Sequence, residues 1–123
     1  MILPPFTAIV PQRGHGDCGI AALATLLGRS YEDVFEATIG VAASPHHRGL
    51  WMSQIMRVAA TFGCTLRRRR KFNIDEDTGI IGVRRDHVGV LREGIVIDPD
   101  GPMVWFEPAM SLDTYGPLLR LED

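Results

Sequence analysis

The spacing of apolar residues changes once along this chain, and that change constrains the fold more than any other feature. Up to Gly63 apolar positions recur at helical intervals, and beyond it they alternate. Ile20, Leu23, Ala24 and Leu27 share one helical face, Asp17 stands where an N-cap belongs and Gly28 supplies a stop, so the spacing predicts a helix from Cys18 to Leu27. Ser30 opens a second helix, with Asp33 placed as in a capping box and Tyr31, Val34 and Phe35 as its apolar face before Gly40. A third begins at about Leu50, carries Trp51, Ile55, Val58 and Phe62 on one stripe and closes at Gly63. The runs CTLRRRRKF, GIIGV, HVGVL, GIVID and MVWFE then read as short strands broken by REG and PDGP turns, which predicts an antiparallel meander. Helices first and strands afterwards define an α+β fold, with N-terminal helices packed on a C-terminal antiparallel sheet.

A chain of 123 residues, 46% hydrophobic and 23% charged, suffices for one core, so residues 1–123 are expected to form a single domain. Its net charge of -2 provides no global field for nucleic acid or anionic lipid. The opening MILPPFTAIVP lacks a basic region and is broken by Pro4, Pro5 and Pro11, which reads as an extended arm instead of a signal peptide. No apolar run reaches the ~18 residues of a membrane helix. A cytoplasmic protein with reduced thiols is the expectation.

Within PQRGHGDCGIAAL, Cys18 falls at the first turn of the predicted helix. There the helix dipole and unpaired backbone N–H groups favour a thiolate. The plainer role for such a cysteine is a small buried apolar residue. Thiol catalysis also needs a base, a group that orients the base and donors aimed at the developing oxyanion. His87 opens the strand HVGVL and Asp98 closes GIVID, although each would serve equally as a core histidine and a turn former. Strand parity puts the two on one face if the intervening loop has two residues: directly opposed for Arg92-Glu93, diagonal for Glu93-Gly94. A three-residue loop would separate them by a face.

The string PQRGHGDCGIAAL resembles the start of the papain-like cysteine peptidases that process double-glycine leader peptides of bacteriocins, where a glutamine and a short loop precede Asp-Cys-Gly and a small-residue helix. GLWMSQIMRVAATFGCTLR is similar to that family's central helix and following strand, and DHVGVL and IVIDPDG to its histidine strand and Asp-Pro turn. The resemblance implies a papain-like fold and cysteine peptidase activity without a cofactor. It makes Cys18 the nucleophile, His87 the general base and then acid, Asp98 the orienter of the imidazole, and Gln12 an oxyanion donor beside the Cys18 backbone N–H. In that family the peptidase is usually the N-terminal domain of an export ATPase. This chain has no Gly-Lys-Ser/Thr phosphate loop and is expected to work alone. The implied substrate is a peptide or protein cut after Gly-Gly.

His15, His46, His47 and Cys64 lack ordered metal-ligand spacing, so no metal site is expected. A Cys18–Cys64 bridge conflicts with a reducing compartment, and Cys64 reads as core. The run Arg67 to Lys71 is a basic edge strand whose charges block edge pairing, or a docking surface for an acidic partner; nucleic acid is not expected. The rival to an enzyme is a catalytically silent papain-like domain that binds a peptide or partner protein.

Overall fold

The structure is a computed structural model that describes residues 9–11, 13, 16–41, 50–84, 87–92, 94–98, 105–108 and 115–122. Gln12, His15, His46, His47, Arg85, Glu93 and Pro99 lie outside the described residues. Three helices, α1 (Cys18–Leu27), α2 (Tyr31–Ile39) and α3 (Met52–Thr61), precede strands β1 (Thr65–Arg69), β2 (Gly79–Arg84), β3 (His87–Arg92), β4 (Ile95–Asp98), β5 (Trp105–Pro108) and β6 (Leu118–Glu122). The α+β arrangement is the one expected.

The first helix is short of polar residues on every side, and it is buried accordingly: each position from Gly19 to Leu27 is buried. It packs against α2, α3, β2 and β3. Ile20, Leu23 and Leu26 join Val34, Ile55, Val58, Ile80 and Val90 in the main core. Complete burial of each large aliphatic side chain contributes about 1.5–3 kcal/mol. Gly28 ends the helix in the left-handed conformation, and Ser30 caps α2 by accepting a hydrogen bond from the Asp33 N–H at 3.1 Å.

Three local expectations need correction. Trp51 is not on the buried stripe; it precedes α3, where helical spacing no longer governs direction, and is 75% exposed. Asp17 occupies the N-cap position of α1 but makes no capping hydrogen bond. The sheet, in the order β1-β6-β2-β3-β4-β5, is a meander only from β2 to β5. The nine residues between β1 and β2 are too many for a tight hairpin, and β6 fills the gap, pairing with both neighbours.

Alternation gives the sheet two apolar faces. Leu66, Ile80, Val90, Ile97 and Leu119 meet the helices, while Phe72, Ile81, Leu91, Val96 and Leu118 form a second cluster. On the β1 edge, Arg67, Arg69 and Arg120 converge on Glu122 at 3.9, 3.4 and 3.1 Å. These half-exposed pairs hold the strand ends together and contribute little stability.

The β3–β4 hairpin pairs Val90 with Ile97, Leu91 with Val96 and Arg92 with Ile95, leaving a two-residue loop, Glu93-Gly94. Gly94 has φ 80°, which suits the second position of such a loop. Gly89 is required for a different reason. A Cβ there would lie 2.7 Å from the Ile97 carbonyl oxygen and 3.0 Å from Val83 Cγ2. Gly89→Ala is therefore expected to destabilise the protein by roughly 1–3 kcal/mol, measured by urea denaturation; an unchanged midpoint would show that the hairpin does not approach this closely.

Candidate active site

Burial of α1 places its first residue, Cys18, half-exposed at the end of a rigid rod. His87 is supplied by the first position of β3 and Asp98 by the last position of β4. Continuing the hairpin register one step sets Gly89 opposite Asp98, so His87 is diagonal to Asp98 on the same face. This is the diagonal alternative allowed by the sequence. His87 Nε2–H donates to Asp98 Oδ1 at 2.6 Å, with the two side chains 11% and 1% exposed. The Cys18 thiol neighbours the same imidazole and acts on its protonation.

These contacts push the His87 imidazole up from 6.5 to about 9. The neighbouring Cys18 side chain is the largest cause; burial opposes it, and the hydrogen bond and charge of Asp98 add to it. The folded protein thus holds this proton more tightly than the unfolded chain. The resulting stabilisation is complete below about pH 6.5 and is lost as pH rises through about 9. An imidazole of raised proton affinity beside a thiol is placed to accept a proton from sulfur and to hold it for a later donation.

Asp17 is buried directly before Cys18, and its role was not legible in the sequence. Its Oδ2 accepts from the Arg13 backbone N–H and from the Tyr31 hydroxyl, both at 2.7 Å. Cys64 is 5% exposed with Sγ 3.8 Å from the Phe62 carbonyl oxygen, and burial pushes its thiol up. Neither Cys18 nor Cys64 is in a disulfide, so no bridge joins them. Of the four residues expected to act together, Cys18, His87 and Asp98 are brought together, and Gln12 lies outside the described residues.

A helix-borne thiol facing a sheet-borne histidine and aspartate is the arrangement of a papain-like thiol hydrolase. The family model of the Peptidase C39 family matches residues 7–76, more than half of the chain, and the chain belongs to that family of cysteine peptidases. No curated protein matches it. The matched segment includes Cys18, whereas His87 and Asp98 lie beyond it and meet the thiol through the fold.

Titration of the His87 ring by proton NMR should give a midpoint near 9. Cys18→Ala and Asp98→Asn should each lower it, and a midpoint near 6.5 in the unaltered protein would contradict the three-residue coupling. Iodoacetamide at pH ~6 should alkylate Cys18 well before buried Cys64; equal modification of the two would remove the argument for a selectively reactive thiol.

Proposed function

We propose that this cysteine peptidase hydrolyses a peptide or isopeptide bond through Cys18, His87 and Asp98, with Gln12 as an oxyanion donor. The observation that carries the reading is the 2.6 Å pairing of the His87 imidazole with the Asp98 carboxylate, with the Cys18 thiol beside the ring. His87 takes the Cys18 proton, the thiolate sulfur attacks the carbonyl carbon, and the carbonyl π pair moves to oxygen, which the Gln12 amide and the Cys18 backbone N–H receive. Collapse of this tetrahedral species expels the amine, which takes a proton from His87. Water, deprotonated by the now neutral imidazole, then cleaves the thioester and regenerates the thiol.

The resemblance to double-glycine leader peptidases supports glycine immediately before the scissile bond. In this reading residues 1–123 form one domain acting in the cytoplasm on a peptide or protein substrate, without cofactor or metal. Arg67, Arg68, Arg70 and Lys71 are exposed along the β1 edge, where an acidic segment of a partner would find complementary charge.

A peptide aldehyde tests the reading, because thiol addition to its carbonyl gives a hemithioacetal that mimics the first intermediate. Gly-Gly aldehyde should bind the wild type far better than Leu-Leu aldehyde, and Cys18→Ala should capture neither. Gln12→Ala should keep the fold and lower turnover of a cleavable Gly-Gly peptide by ~100-fold or more. Equal capture of both aldehydes would refute the double-glycine preference alone. Capture of neither, with Cys18 reduced, would refute the hydrolase and favour the silent binding domain.

A further inference from the structure

The segment leading to Cys18 is tied to α2 by a buried polar contact. Asp17 is 1% exposed and Tyr31 3%, so each requires a polar partner in the protein. One carboxylate oxygen, Asp17 Oδ2, receives both the Tyr31 hydroxyl and the Arg13 N–H. The Arg13 guanidinium lies 4.2 Å from the Tyr31 ring centroid and pairs with Glu32 Oε1 at 2.5 Å. Backbone, carboxylate, phenol and guanidinium thereby close a circuit between α2 and the approach to the thiol. Burial and the Asp17 hydrogen bond hold the Tyr31 phenol well above its usual range, so it stays a donor across neutral pH.

The N–H that Asp17 fixes belongs to the peptide unit joining Gln12 to Arg13. We infer that Tyr31 is a positioning residue: by orienting Asp17 it fixes the Arg13 N–H, and through that peptide link it steadies the oxyanion donor proposed at Gln12. This rests on the proposed role of Gln12. A tyrosine that only filled space would need its ring, which stacks on Phe35 with centroids 6.4 Å apart, and would have no use for its hydroxyl.

Tyr31→Phe keeps the ring and removes the hydroxyl, so it separates these roles. Two probes read the result. Iodoacetamide alkylates sulfur at a saturated carbon with loss of iodide and forms no oxyanion. A peptide aldehyde, Gly-Gly or, if the wild type prefers it, Leu-Leu, places its former carbonyl oxygen where the oxyanion donors act. Tyr31→Phe should weaken aldehyde affinity about tenfold while leaving the Cys18 alkylation rate and cooperative unfolding intact. In a Gln12→Ala background, itself weakened, it should cause no further loss.

Unchanged aldehyde affinity in Tyr31→Phe, with loss in Gln12→Ala, would overturn the inference and leave the oxyanion assignment standing. Additive losses, or equal slowing of alkylation, would overturn it by showing that Tyr31 acts elsewhere or only through folding. An inert Gln12→Ala would overturn the oxyanion assignment and the inference with it, as would a wild type that captures neither aldehyde.

Discussion

The position of the thiol depends on the burial of α1. A helix apolar on one side can roll or slide against its support, but one enclosed by α2, α3, β2 and β3 has no such freedom. Its small residues allow the enclosure: Ala21, Ala22 and Ala24 are fully buried and let neighbouring elements approach, while Ile20, Leu23 and Leu26 fill the space between them. Cys18 inherits the precision of this packing, since it is the first residue of the enclosed rod. A thiol on a loop would have to be fixed by other means.

The other half of the site is fixed by counting along an antiparallel hairpin. Two loop residues put His87 and Asp98 on one face, and the missing side chain at Gly89 lets the strands close. The distance of 2.6 Å between imidazole and carboxylate follows from backbone register, not from a flexible search by two side chains. Register and helix burial are separate devices, and the thiol–imidazole contact is where they meet.

Features with strong local signals were legible in the sequence. Helix α1 begins at Cys18 and ends before Gly28 as its spacing indicates, and strand parity left three relations between His87 and Asp98, opposed, diagonal or separated by a face, which the two-residue loop resolves in favour of the diagonal one. What escaped has a long-range cause. In β6, Leu118 enters one core and adjacent Leu119 the other, so no alternation marks the strand; its place between β1 and β2 is decided by pairing across the chain. Asp17 carried a cap signal, yet its partner Tyr31 lies on another helix, and no local rule ranks a distant phenol above the nearest backbone N–H groups.

That diversion of Asp17 has a chemical consequence. A side-chain cap is worth about 1 kcal/mol, and α1 forgoes it, with no acidic residue in its first turn either. Burial of a single large aliphatic side chain on the same helix more than offsets the loss. The benefit lies at the helix N-terminus, where an aspartate used as a cap would occupy the donors and present a negative charge to the sulfur. With its carboxylate turned to Arg13 and Tyr31, the positive end of the helix dipole faces Cys18 without a capping carboxylate upon it. The residue beside the thiol thus gives up a helix cap and leaves the N-terminal donors of α1 uncovered, and the buried body of the helix offsets the loss.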